Sequence, residues 1–232
     1  MNDGVLQVNV RGLLEFFDAK VDGSQKHATA IVSVCGEDLG CGLLKHYFEA
    51  RDASVEVRPE PCTRGKQKGP RLDRWIRVTG TSELGAMDVL LQVEVKNWSA
   101  HAIGGRKLRL DAPPEEVADY KRERWAKEWS DKGISTPALR KVIERMRPPD
   151  KLAYLPVEPL ACMWTALHPT GDVEPLFSVS LPQAKRTESD RFDRVWFFSM
   201  SSYLRSLTDE RIPVHMPDAT KRIGWLDQLF RS

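Results

Sequence analysis

Two charged residues, Glu94 and Lys96, stand at the end of the most strongly apolar run of the sequence. The run from Met87 to Trp98 alternates with the two-residue period of a buried β-strand, so Glu94 and Lys96 project from the same face of the sheet. A charge in so apolar a strand requires a partner or a metal. A carboxylate beside an ammonium suits phosphodiester hydrolysis: the carboxylate holds a hard cation such as Mg²⁺, the cation activates water, and the ammonium offsets developing charge. The alternative is a surface ion pair of little energetic value.

The position of this triplet separates it from two others of the same type. Acid-x-lysine also occurs at Asp18–Lys20 and Asp119–Lys121, but only Glu94–Lys96 ends an apolar run with strand period. This difference favours a functional interpretation of the middle triplet.

A second carboxylate, Asp73, lies near the start of a predicted strand over residues 71–78, after the turn signal Gly69–Pro70. A short turn over residues 79–85 makes this strand and the 87–98 strand antiparallel neighbours, so that two carboxylates and a lysine can converge. Asp88, on the Glu94 face of its own strand, and Glu56, on the preceding strand, are competing carboxylates. Asp73 is preferred, since a separate strand can place it opposite Glu94.

Asp73 followed by Glu94-x-Lys96 on the next strand resembles the PD-(D/E)XK nuclease superfamily, the restriction-endonuclease-like fold. That pattern often includes a glutamate on the preceding helix, a place that Glu37 fills. The resemblance covers roughly residues 30 to 130 and departs from the pattern at Pro70, which lies three residues before Asp73 instead of directly before it. It implies that Asp73, Glu94 and Glu37 bind Mg²⁺, with Mn²⁺ a substitute, and that Lys96 positions the attacking water.

The resemblance implies a metal-dependent endonuclease or exonuclease acting on DNA in restriction, phage defence, recombination or repair. RNA cleavage by the same residues, and a catalytically silent nuclease-fold subunit that binds nucleic acid or aids assembly, are the alternatives. The sequence contains no Gly-x-x-x-x-Gly-Lys-Ser/Thr loop, so any motor or sensor would be a separate subunit. A homodimer or a larger complex is compatible with this pattern.

Two glycine-bearing basic segments, residues 62–70 and 99–109, flank the predicted site and suit contact with a phosphate backbone. Solvated loops are the ordinary alternative. The helices predicted over 113–129 and 135–146 carry further cations and form a second candidate DNA-facing surface. The predicted nucleic-acid contacts are Arg64, Lys66, Lys68, Arg71, Arg106 and Lys107.

Composition limits the remaining choices. The 232 residues are 41% hydrophobic and 29% charged, which is typical of a globular protein, and a net charge of +2 confines any nucleic-acid binding to local patches. No apolar run is long enough to span a membrane, and Met1–Gly4 lacks the features of a signal peptide. Four cysteines without Cys-x-x-Cys spacing predict reduced thiols in a cytoplasmic protein, with neither a zinc site nor disulfides.

The sequence predicts one α/β domain over residues 1–232. Its restriction-endonuclease-like core, residues 26–150, is a mixed central β-sheet flanked by helices, and residues 151–232 form a C-terminal α/β elaboration, with a small separate domain from about 152 as the alternative. The terminal helix is expected to pack on the core, although a partner interface is the alternative. Predicted helices lie within 5–20 and over 26–50, 113–129, 135–146, 201–207 and 220–230; predicted strands lie at 54–59, 71–78, 87–98, 175–181 and 194–199, with edge strands or loops at 154–167.

Overall fold

The computed structural model describes residues 4–18, 34–35, 37–65, 71–96, 141–166, 168, 174–180 and 192–230. The strands are β1 (Val5–Asn9), β2 (Ser54–Arg58), β3 (Cys62–Thr63), β4 (Arg71–Leu72), β5 (Arg74–Thr79), β6 (Asp88–Lys96), β7 (Val157–Met163), β8 (Leu176–Ser180), β9 (Arg194–Ser199) and β10 (Arg211–His215). The α-helices are α1 (Val10–Asp18), α2 (Asp38–Glu49), α3 (Met200–Ser206) and α4 (Pro217–Phe230), and a 3-10 turn spans Asp150–Leu152.

A six-stranded mixed sheet with the order β2-β5-β6-β7-β9-β8 forms the centre of the fold. The pairs β2–β5, β5–β6 and β8–β9 are antiparallel, whereas β6–β7 and β7–β9 are parallel. Two small antiparallel pairs, β1–β10 and β3–β4, lie outside it. The predicted α/β class and the mixed sheet flanked by helices are therefore confirmed. Strands from both halves of the chain belong to this one sheet.

Strand β6 lies inside the sheet and is buried on both faces. Its odd-numbered residues pack with α2 in one apolar cluster, while Leu90 packs in a second cluster with Val142, Ile143 and Met146. A strand covered on both sides can be apolar on both sides, as this run is. The predicted strand, its alternation and its antiparallel pairing with the preceding strand are confirmed.

The predicted strand over residues 71–78 is broken at Asp73. An uninterrupted strand would place Leu72 with Ile76, yet Leu72 packs with Trp75 in the second cluster and Ile76 packs in the first. The prediction that Leu72 and Ile76 share a face is wrong because the extra residue at Asp73 changes the side-chain alternation, as a bulge does.

Helix α2 approaches the strands closely because it contains glycines. A Cβ at Gly40 would lie 2.6 Å from Val95 Cγ1, and one at Gly42 would lie 2.6 Å from the His215 carbonyl oxygen. Close approach to β6 and β10 therefore explains two glycines that weaken the helix. Of the long helix predicted over 26–50, the described part from Asp38 to Glu49 is confirmed.

The structure corrects two predicted elements. The first half of the helix predicted within residues 5–20 is strand β1, which pairs with β10. Residues 154–167, predicted as edge strands or loops, contain the internal strand β7. Its ladder with β9 begins only at Leu160, so the missing N–H of Pro159 is tolerated there.

The predicted packing of the terminal helix is wrong for its second half. Helix α4 is anchored at Ala219, whose backbone N–H donates to Asp38 Oδ2 at 2.9 Å. Its later large apolar side chains are exposed: Ile223, Trp225, Leu226, Leu229 and Phe230. Within the described residues, no helix is long and apolar enough to cross a membrane.

The strand predictions at 54–59, 175–181 and 194–199 and the helix at 201–207 are confirmed to within about a residue at each end. The helix predicted over 113–129 lies outside the described residues. Only the end of the helix predicted over 135–146 is described, and its helical backbone does not extend beyond Val142.

Candidate active site

Glu94 is a buried carboxylate with two ammonium partners. Its side chain is only 4% exposed, with Oε1 2.6 Å from Lys96 Nζ and Oε2 3.4 Å from Lys141 Nζ. Lys96 is at the end of β6, where the strand reaches the surface, and both lysines are partly exposed. Removing either partner would leave less compensation for a charge in a place of low dielectric.

Lys141 was predicted only as one of the cations of the helix over 135–146 and not as a partner of Glu94. The buried amide of Gln92 explains how it is held. Gln92 is fully buried on β6. Its Nε2 donates to the carbonyls of Val142 (2.6 Å) and Glu144 (2.8 Å), and its Oε1 accepts the N–H of Met146 (3.0 Å). Strand β6 thus supplies the Glu94 carboxylate and also the three hydrogen bonds of Gln92, the Gln92 clamp, which hold the segment after Lys141 beside it. The sequence signal was an amide in an otherwise apolar strand, two residues before Glu94.

Asp73 is tied to the same end of β6 through the backbone. Its N–H donates to the Val93 carbonyl at 3.0 Å, and its Oδ2 accepts the N–H of Val95 at 2.6 Å. The Val95 N–H belongs to the peptide that joins Glu94 to Val95. The break between β4 and β5 therefore allows the Asp73 side chain, in place of a backbone carbonyl, to bond with β6.

Glu37 meets Asp73 from the other side. It immediately precedes α2, and its carboxylate lies close enough to Asp73 to raise the pKa of that group. Burial raises the pKa of Asp73 to about 6; the Val95 N–H opposes this rise, the Glu37 charge adds to it and Lys96 opposes it. Arg74 Nη1 lies 3.1 Å from Glu37 Oε2 and helps to hold that carboxylate.

Cys62 lies near enough to both Asp73 and Glu94 for their charges to affect the pKa of its thiol. Burial raises the pKa of the Cys62 thiol, and the charges of both carboxylates raise it further, while Lys141 opposes them. Burial likewise raises the thiol pKa of Cys41 and Cys162, on the other side of Asp73. These thiols are therefore poor nucleophiles.

The competing carboxylates lie elsewhere. Asp88, at the opposite end of β6, accepts from Arg77 Nε at 2.9 Å and Nη2 at 2.7 Å, and this partner lowers its pKa. Glu56 is exposed on β2 and pairs with Arg58. Of the alternatives, only Asp73 is bonded to the Glu94 end of β6.

A cleft of about 600 Å³ opens beside Asp73. Its walls come from the first turn of α2, from β2 and the turn after it, from β4 and the start of β5, and from the junction between β10 and α4. It is lined by Asp38, Cys41, Val57, Arg58, Pro59, Glu60, Pro61, Arg71, Asp73, Arg74, His215, Pro217 and Asp218. Three arginines thus share the cleft with a predicted catalytic carboxylate.

The predicted nucleic-acid contacts are only partly described. Arg71 is exposed and lines the cleft. Arg64 is half exposed, 3.7 Å from Glu144 Oε2, and is not among the residues that line the cleft. Lys66, Lys68, Arg106 and Lys107 lie outside the described residues.

The donor set suits a hard divalent cation in one respect. Asp73 and Glu37 are neighbouring carboxylates whose repulsion a cation would relieve. Mg²⁺ commonly takes one or two carboxylates together with water and substrate oxygens. Among the described residues, no three His, Cys, Asp or Glu side chains are already gathered as ligands. The third expected ligand, Glu94, forms ion pairs with Lys96 and Lys141 instead.

No protein-family model matches the chain, and no curated protein or solved structure is significantly similar to it.

Proposed function

We propose that this protein is a metal-dependent deoxyribonuclease with a restriction-endonuclease-like core of the PD-(D/E)XK type. The observation that carries the proposal is the 2.6 Å hydrogen bond from the Val95 N–H to Asp73 Oδ2. It ties the first acidic residue of the pattern to the peptide inside Glu94-Val95-Lys96. Glu37, which precedes α2 and raises the pKa of Asp73, adds the further acidic residue of the pattern.

Each residue has a distinct role in this proposal. Asp73 and Glu37 would hold Mg²⁺, with Glu94 as the third expected ligand, and Mn²⁺ could substitute. When bound, the cation would activate a water and stabilise charge on the phosphoryl oxygens. Water adds to phosphorus, one P–O ester bond breaks, and the leaving oxygen takes a proton. Lys96 orients the water or offsets the developing charge, and Lys141 adds a second ammonium on the same carboxylate.

The raised pKa of Asp73 supports the proposal. A buried carboxylate close to another acid destabilises the fold at neutral pH, and such arrangements are concentrated at functional sites. The ordinary ion pair at the other end of the same strand lacks these features.

One observation favours a second function, a catalytically silent nuclease-fold subunit that binds nucleic acid or aids assembly. The ammonium groups of Lys96 and Lys141 both lie within ion-pair distance of the Glu94 carboxylate. Two ammonium groups can neutralise this carboxylate without a metal. In that case DNA binding would persist without cleavage.

The test is cleavage of linear, circular and single-stranded DNA by the full chain in Mg²⁺, Mn²⁺ or EDTA. Asp73→Asn and Lys96→Met are compared with Asp88→Asn, a matched carboxylate change at the far end of β6, and all are checked for folding by circular dichroism. We expect metal-dependent cleavage that Asp73→Asn and Lys96→Met abolish and Asp88→Asn retains. No cleavage by folded wild-type protein on any substrate would favour the silent subunit.

A further inference from the structure

The cleft beside Asp73 has a size that restricts what can enter it. Its volume of about 600 Å³ falls within the roughly 300–1,000 Å³ typical of small-molecule sites. A nucleic-acid duplex, whose major groove alone is about 12 Å wide, cannot enter such a space. A nucleotide that is not base-paired can.

The cleft offers both surfaces that a nucleotide needs. Val57, Pro59, Pro61 and Pro217 provide apolar walls against which the face of a base can pack. Unpaired bases are commonly bound by packing their faces on protein side chains while cations follow the phosphates.

Most of the charges in the cleft already have partners. Arg58 pairs with Glu60, and Arg74 pairs with Asp218 and with Glu37. Asp38 accepts the backbone N–H of Ala219. These contacts leave the rim near Asp73 less acidic than a count of its carboxylates suggests.

Arg71 differs from the other two arginines. It is exposed on the short strand β4, two residues before Asp73, and among the described residues it has no carboxylate within ion-pair distance. Its guanidinium can therefore bind a phosphate in the fork geometry that arginine favours, without first breaking an existing pair.

We propose that this cleft binds an unpaired nucleotide of single-stranded DNA, with Arg71 on a phosphate and the proline-lined wall on the base. The inference rests on the proposed nuclease function and gives it a substrate class: a single strand, or a duplex end that has opened. A continuous closed duplex reaches the Asp73 site poorly, because its bases are not available to enter the cleft.

Binding is measured apart from cleavage. Fluorescence anisotropy compares a labelled eight-nucleotide oligothymidylate with a labelled closed duplex minicircle, which has neither ends nor unpaired loops, using the full chain with Ca²⁺ in place of Mg²⁺. Arg71→Glu is tested beside Arg211→Glu, a matched change at an exposed position on β10 that does not line the cleft. Arg71→Ala serves as a second variant if the charge reversal prevents folding.

We expect the single strand to bind at least about tenfold more tightly than the closed minicircle, and Arg71→Glu to weaken single-strand binding by about tenfold, as the loss of one charge-assisted contact does. Arg211→Glu should change it by less than about twofold. Equal affinity for the two DNA forms, or equal effects of the two substitutions, would overturn the inference.

Cleavage assays in Mg²⁺ separate this inference from the proposed function. Cleavage of single strands and open ends, but not of closed circular duplex, is expected. If closed duplex is cleaved equally well and Arg71→Glu has no effect, the nuclease stands and the cleft inference fails. If single strands bind through Arg71 but no DNA is cleaved, the cleft binds as inferred and the nuclease proposal fails.

Discussion

The two ends of strand β6 carry acidic residues in very different surroundings. At the first end, Asp88 forms a one-to-one pair with Arg77, and both side chains are about 30% exposed. At the last end, Glu94 is 4% exposed and has two lysines, while Asp73 and Glu37 lie side by side. The pKa of Asp88 is lowered by its partner, whereas that of Asp73 is raised by burial and by Glu37.

This difference distinguishes an ion pair that stabilises the fold from a group of acids whose burial and repulsion lower its stability. A partner that lowers an acid's pKa stabilises the folded state at neutral pH, whereas burial beside a second acid destabilises it. Arrangements of buried acids that lower stability in this way are concentrated at functional sites, such as sites that bind a cation. The comparison therefore supports the chemistry proposed for the Glu94 end and indicates a stabilising role for the Asp88 end.

The largest expected contrast is in activity. Glu94→Gln keeps the size of the side chain but removes the charge between the two lysines, so it should lower kcat/KM for DNA cleavage by at least about 100-fold. Asp88→Asn should lower it by no more than about twofold. Cleavage kinetics on one substrate check both, and similar losses in the two variants would remove the distinction between the ends.

A change in Gln92 tests the clamp that brings Lys141 to Glu94. Gln92→Leu removes three hydrogen bonds and leaves buried backbone groups of residues 142–146 without partners, so it should lower the free energy of unfolding by about 2–4 kcal/mol. Urea denaturation measures this loss. Gln92→Glu is a near-isosteric second variant, whose carboxylate can still accept the N–H of Met146 but cannot donate to the carbonyls of Val142 and Glu144. It should therefore also lower the free energy of unfolding. Unchanged stability in both variants would contradict the role of Gln92 in holding this segment.

The two aspartates should respond to pH with opposite signs. The pKa of Asp73 is raised to about 6 from an unfolded value near 3.8, so its folded form binds more protons between these values and stability falls as pH rises through them. Asp73→Asn removes this cost and should raise the free energy of unfolding at pH 7 by as much as about 3 kcal/mol. Denaturation at pH 4 and pH 7 measures it, and destabilisation at pH 7 would contradict the account.

Asp88→Asn should give the smallest effect. The lowered pKa of Asp88 contributes stability that is present above its unfolded pKa and lost as pH falls. Because the pair with Arg77 is partly exposed, removing it should cost no more than about 1 kcal/mol at neutral pH, and less in high salt. Denaturation in low and high salt checks this, and a loss as large as that expected for Gln92→Leu would show that the Asp88 end is not an ordinary surface pair.

The sequence predicted the parts of the fold that local pattern determines. Alternation located β6, and the short turn before it predicted the antiparallel pairing with β5. It failed at β1 and β7, because β1 takes its partner from the far end of the chain and β7 is an internal strand despite Pro159. Neither fact is contained in the local pattern.

The sequence identified the acidic residues of the candidate site but not the contacts that these residues make. Asp73, Glu94 and Lys96 followed from their spacing and from a resemblance to known nucleases. Lys141 did not, because it lies 47 residues from Glu94 and reaches it only through the clamp of Gln92. The cleft depends on β10 and α4, which meet Asp73 only in the folded chain.

Calorimetric titration of Mn²⁺ into the folded wild-type chain, Asp73→Asn and Asp88→Asn tests the central claim most directly, since it measures the metal site without relying on the correct DNA substrate. The account predicts one saturable site in the wild type, retained in Asp88→Asn and lost in Asp73→Asn. Absence of binding by the wild type, or equal binding by Asp73→Asn, would contradict a metal site at the Glu94 end of β6.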